Sequence, residues 1–168
     1  MIVQIPSNYI VYDKTLKGLC KLPFYNHAKG CPNWGKKEGC PPNVLPIHKI
    51  LDFNKDLYVI YNEFSVGEFA QKMRLTHPEW EEHPRQWYNP RRWQGTARKQ
   101  HKIEKIKALE TGINTILSCP EANGVNMTDL MSKVGVELKW NWPPVHNLKN
   151  EEYKQNMSYI ISIGGYHK

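Results

Sequence analysis

The stretch from Cys20 to Asn43, CKLPFYNHAKGCPNWGKKEGCPPN, constrains this chain more than any other, because it holds three of the four cysteines at a spacing of C-x10-C-x8-C. Prolines at 23, 32, 41 and 42 and glycines at 30, 35 and 39 forbid a continuous helix or a central strand across it. It must be an ordered irregular loop, and ordering the backbone costs about 1–2 kcal/mol per residue. Such a loop needs a fastener. Three thiols can provide one.

Two of these cysteines precede proline, in Cys31-Pro32 and Cys40-Pro41-Pro42. Proline holds the chain extended just beyond the thiol and removes an N–H that would compete for it, and cysteine followed by proline is familiar in iron–sulfur loops. Buried free thiols are the bland alternative, but the neighbours are Gly, Lys and Asn rather than Val and Leu. A disulfide is disfavoured by the odd count of three and by a start, MIVQIPSNY, that lacks the features of a secretory signal.

The segment Cys31–Pro42, CPNWGKKEGCPP, resembles the CPxYGxxxxCPP loop of an uncharacterised family of small, predicted metal-binding proteins found mainly in anaerobic prokaryotes. A second stretch, Glu121-Ala122-Asn123-Gly124-Val125-Asn126-Met127 followed by Val134-Gly135-Val136, is similar to that family's EAxGIDV…xxGL segment. Together the two cover roughly a third of the chain. The chain differs in the wider spacing of Cys20 and Cys31 and in having only Cys119 before the second stretch. The resemblance implies a metal site and leaves the metal and the reaction open.

A chain of 168 residues has room for one ordinary domain with a real core, so 1–168 is read as a single metal-binding domain. Its 40% hydrophobic and 11% aromatic content is globular despite a mean hydropathy of −0.65. No apolar run reaches membrane-spanning length, and the expected location is the cytoplasm, where clustered thiols point to metal or catalysis. A formal charge of +7 favours an anionic partner or small anionic substrate, nucleic acid among them.

Taken in order, Ile2–Ile5 and Tyr9–Tyr12 are β-rich runs separated by the turn Pro6-Ser7-Asn8, and a short helix is expected over Val44–Phe53. Leu57–Tyr61 reads as a central strand. Ser65 and Glu68 form a capping box flanked by Phe64 and Phe69, starting a helix that runs to about Leu75. The Trp- and Arg-rich segment His77–Trp93 is either a loop whose indoles plug the core or a stacking platform for a planar ligand. Gln94–Leu117 reads as the longest helix, buried along Ile106, Leu109, Ile113 and Ile116 and basic along Arg98, Lys102 and Lys105, with Cys119-Pro120 closing it. Asn126 caps a short helix ended by Gly135, and Val136–Trp142 and Tyr159–Ile163 are expected strands. The sum is an α+β fold: an α/β sandwich with a mixed sheet of three to five strands and a long cysteine-bearing loop.

Two metals suit the thiols. An iron–sulfur cluster of the 4Fe-4S type takes thiolates from well-separated positions, here Cys20, Cys31, Cys40 and, if its segment packs on the loop, Cys119. With only three ligands an iron stays open and can act as a Lewis acid, so the fourth ligand separates an electron carrier from a desulfurisation-type enzyme. Zinc could instead use the three loop thiols with His27, which lies between Cys20 and Cys31, and so stabilise a module that binds nucleic acid or a protein. Trp87, Arg91, Arg92 and Arg98 are candidates for holding a bound ligand. No phosphate-binding glycine loop, G-x-S-x-G, H-E-x-x-H or C-x-x-C occurs.

Overall fold

Short β-rich runs and strongly signalled helix starts organise the computed structural model, which describes residues 1–23, 27–139 and 156–168. Strands β1 (Ile2–Ile5), β2 (Leu57–Ser65), β3 (Thr115–Leu117) and β4 (Met157–Gly165) form one sheet in the order β1-β2-β4-β3. The fold is α+β, with helices beside a four-stranded antiparallel sheet. Where the sequence suggested a mixed sheet, β1 meets β2 antiparallel with Ile2 opposite Ile60, and β3 meets β4 antiparallel with Thr115 opposite Gly165. The chain between β2 and β3 is mostly helical, and β3 lies at the edge of the sheet opposite β1.

The chain divides into two compact units, through both of which β2 and β4 run. The first comprises Met1–Ile60, Lys107–Leu138 and Ile161–Lys168. Its interior includes the fully buried Ile47, Leu51, Leu57, Ile60, Leu130, Met131 and Ile163. Helix α1 (Ile47–Ile50) is the short helix expected after the cysteine loop, with Pro46 just before it. Strand β4 runs past the expected Tyr159–Ile163 to include Gly164 and Gly165. A Cβ on Gly164 would stand 2.5 Å from the Ile113 side chain, and one on Gly165 would stand 2.9 Å from Leu57. A larger residue at either position would make those side-chain ends shift.

The second unit comprises Tyr61–Ile106 and Lys139–Ile160. Its helix α2 (Val66–Thr76) starts where the capping pattern placed it, the Ser65 hydroxyl accepting the Glu68 amide at 3.2 Å and Phe64 lying 6.1 Å from Phe69. Val66, Ala70, Trp87, Tyr88, Trp93 and Ala97 make its core, with Phe64 stacked on Trp93.

Two elements differ from expectation. The long helix α3 spans Pro90–Glu110, ends before Gly112 at φ +95°, and is followed by β3, so Ile113 and Ile116 lie beyond it. Its buried positions are Trp93, Ala97, His101 and Ala108, while Ile106 and Leu109 are about half exposed. Alanines let neighbouring chain approach the helix closely, and a stripe chosen by side-chain hydropathy misses that. Of the strand expected over Val136–Trp142, Val136–Lys139 is irregular and the rest lies outside the described residues. Helix α4 (Met127–Lys133) matches its expected cap, the Asn126 side chain accepting the Asp129 amide at 3.1 Å, with Gly135 beyond it at φ +86°.

Candidate metal centre

Asp13 starts the site. Its carboxylate accepts the Thr15 amide at 2.8 Å and the Thr15 hydroxyl at 2.6 Å, bonds that hold it below the usual aspartate pKa and cap a 3₁₀ helix over Lys14–Lys21. Cys20 sits in the last turn of that helix. The loop then returns, and the Cys31 amide donates to the Cys20 carbonyl at 2.7 Å. Gly30 makes this closure possible. Its φ is +79°, and a Cβ there would stand 2.7 Å from the carbonyl oxygens of both Cys20 and Lys21.

From Cys31 the chain folds through successive turns. The Trp34 amide reaches the Cys31 carbonyl at 3.2 Å, the Gly35 amide reaches the Pro41 carbonyl at 2.8 Å, and the Cys40 amide reaches the Lys37 carbonyl at 3.1 Å. A C-x8-C spacing is thereby compacted without a helix or a strand. His27 belongs to the turn whose carbonyl accepts the Gly30 amide at 3.0 Å.

Cys119 does not close the long helix, as its sequence position suggested. It follows β3 and precedes a 3₁₀ helix over Pro120–Asn123, and that helix packs against the Lys14–Lys21 helix that carries Cys20. The segment after it works as a clamp. The Asp13 amide donates to the Gly124 carbonyl at 2.8 Å, the Asn126 amide to the Val11 carbonyl at 3.1 Å, and Tyr12 pairs with Val125 in an antiparallel bridge. The Asn123 side chain donates to the Leu45 carbonyl at 2.9 Å. The clamp therefore grips the chain just before Cys20 and just after Cys40. Gly124, at φ +84°, leaves no room for a Cβ beside the Tyr12 ring. Asn123 and Gly124 are the residues that reading by chemistry passed over, although they stand in the second stretch of the family resemblance.

Burial pushes the Cys20 thiol above its usual pKa, and the fields of Cys31, Cys40, Cys119 and Glu121 push it further in the same direction. Cys20, Cys31 and Cys40 are partly buried, Cys119 is exposed, and none of the four is in a disulfide. Among the described residues, no three His, Cys, Asp or Glu side chains stand close enough together to hold an ion as they are, so a metal would have to draw the loop inward.

The other candidates lie in the second unit. Trp87 is 3% exposed, donates its indole N–H to the His77 carbonyl at 3.3 Å and carries the Arg74 guanidinium 4.6 Å from its ring. It is a core plug, not an open platform. Trp80 is likewise engaged, stacked on His77 at 4.0 Å and on the Arg92 guanidinium at 4.0 Å. Arg91, Arg98 and Lys102 are exposed on α3, where the Arg98 guanidinium donates to Gln94 at 3.4 Å. No helix among the described residues is long and apolar enough to cross a membrane.

No family model matches the chain, and neither a curated protein nor a solved structure matches it.

Proposed function

We propose that Cys20, Cys31, Cys40 and Cys119 hold an iron–sulfur cluster. The observation that carries this reading is the approach of two distant parts of the chain, the Cys31 amide bonding to the Cys20 carbonyl at 2.7 Å and the helix after Cys119 packing against the helix that carries Cys20. Holding a thiolate at Cys20 has a cost, from burial first and then from the neighbouring thiols and Glu121, and it raises the pKa of that thiol. A bound cation turns that cost into a gain, because thiolates are its ligands. The donor chemistry suits such a cluster, being all sulfur with no need of histidine or carboxylate, but the described side chains would have to move together to hold it.

When bound, such a group supplies one-electron transfer, or Lewis acidity wherever one of its irons lacks a protein ligand. The chain's own work is positional. The Gly30 turn presents Cys31 to Cys20, the turns through Gly35 bring Cys40 back, and the Asn123–Asn126 clamp delivers Cys119. Cys119 is the most exposed of the four and stands where solvent or a substrate would reach the group.

The test is iron, acid-labile sulfide and zinc analysis of protein purified without oxygen, repeated on Cys119→Ala. Iron and sulfide in the parent with loss of both in the variant supports a four-cysteine site. Retained metal with altered reactivity means a three-cysteine site open at one iron. Zinc in place of iron overturns the cluster.

One observation favours a second reading, a zinc-stabilised module that binds nucleic acid. Arg91, Arg98 and Lys102 recur on α3 at intervals of seven and four, which places them on one exposed face. If that face grips phosphate, log affinity should fall with log salt by about 0.7–0.9 per phosphate neutralised.

A further inference from the structure

One line of α3 is built against the core of the second unit, and the line across the helix from it is not. Trp93, Ala97 and His101, spaced i, i+4, i+8, are buried. Lys99, Lys102, Ile103 and Ile106, spaced i, i+3, i+4, i+7, share one other face. At about 100° per residue, Ile106 falls straight across the helix from the buried line, and the other three fall within about 60° of that position. Lys99 and Lys102 are exposed, Ile103 is 55% exposed and Ile106 is 49% exposed. Two β-branched aliphatics therefore stand on the outermost line of the helix. Helix propensity does not account for them there, since isoleucine is a poorer helix former than lysine or glutamine.

The surroundings are basic. From Pro90 to Lys107 the chain carries seven lysines and arginines against one carboxylate, Glu104. Glu104 comes three residues after His101, which sets it toward the buried side.

We infer that this outer face of α3 docks an acidic amphipathic helix of a partner protein, whose aliphatic side chains would cover Ile103 and Ile106 while its carboxylates meet Lys99 and Lys102. The inference draws on α3 alone and depends on neither a metal nor a nucleic acid.

Anchors at i, i+3, i+4 and i+7 are what one helix presents to another, and the charge of the face sets the sign of the partner. The order of residues along the face sets its class. Ile106 lies about 10 Å along the axis from Lys99 on nearly the same line, so one end calls for carboxylates and the other for an apolar surface. A helix offers both at that spacing. An anionic bilayer would have to carry Lys99 down with the isoleucines, and a phosphate backbone brings charge to the whole line with no aliphatic surface for its apolar end. A second copy of the same face would set Lys99 and Lys102 against like charges. A contact one helix face wide is small, which makes this a transient docking with a Kd on the order of micromolar.

The experiment titrates the full chain with a synthetic helical peptide of about 20 residues, leucine and glutamate at helical spacing, and with a scrambled peptide of the same composition, at low and at physiological salt. The ordered peptide should bind about tenfold more tightly than the scrambled one, and its affinity should fall as salt rises. Lys99→Glu with Lys102→Glu should lose on the order of a hundredfold at low salt. Ile103→Ala with Ile106→Ala should lose about tenfold and keep the salt dependence. Alanine is the stronger helix former and all four side chains face outward, so unchanged melting curves show that the fold is intact.

Equal affinity for the two peptides reduces the face to a patch of charge and overturns the inference, as does binding that both variants retain. No binding of the ordered peptide by folded protein overturns it as well. Tighter binding to single-stranded DNA or to phosphatidylglycerol vesicles, lost in the lysine variant, overturns the choice of partner.

Discussion

The cysteine loop and the tryptophan segment are both irregular, both rich in proline, and ordered by opposite means. His77–Trp93 is built from two short 3₁₀ helices and the first turn of α3, and it sends Trp87, Tyr88 and Trp93 into a core with Val66, Ala70 and Ala97. Its order comes from burying rings, each worth several kcal/mol. Between residues 11 and 40, Gly30 is the one buried residue among those described. That loop is shaped by backbone hydrogen bonds, glycines and the clamp from Asn123–Asn126, and it has almost no apolar interior of its own. Two proline-rich loops thus divide by whether their large side chains have somewhere dry to go. The one without a core is the one that carries the thiols.

The sharpest way to break this contrast is to remove a ring from the second unit. Trp93 stacks on Phe64 at 5.4 Å and donates its indole N–H to the Tyr88 carbonyl at 3.2 Å. Trp93→Ala should cost about 3–5 kcal/mol by urea denaturation, and the loss should be the same with or without added iron or zinc. A metal-dependent loss would mean that the two regions are not ordered independently.

A smaller effect comes from acid. His101 is 3% exposed, and burial first, then the charge of Lys105, pushes its pKa down to about 4. In the unfolded chain the ring takes up its proton near 6.5. The unfolded state therefore binds more protons between these values, so stability is full above about pH 6.5 and falls as the pH drops toward 4. The loss from pH 7 to pH 5 should be about 2 kcal/mol, and His101→Gln should flatten that slope. An unaltered slope in the variant would assign the acid sensitivity to other groups.

The smallest change tests the loop. Gly30→Ala forces a side chain into a left-handed backbone and against two carbonyl oxygens. It should cost about 1–2 kcal/mol and lower metal content at the same time, because Cys31 is displaced from Cys20. Full metal content in a destabilised variant would separate the turn from the site.

Local signals in the chain were strong enough to place several elements before any fold was known. The Ser65 and Asn126 caps, the β-branched runs at Ile2–Ile5 and Leu57–Tyr61, the final strand and the irregular character of the cysteine loop each follow from interactions a few residues apart, so position in sequence is position in space. What only the tertiary structure decided depends on neighbours far along the chain. Whether α3 buries its alanines or its isoleucines is a matter of what packs against it. That Trp87 is enclosed rather than displayed depends on α2. That Cys119 follows a strand depends on Gly112 ending the helix early and on β4 offering an edge. The association of Cys119 with Cys20 is set by hydrogen bonds between segments about a hundred residues apart, and no periodicity or spacing encodes a contact at that distance.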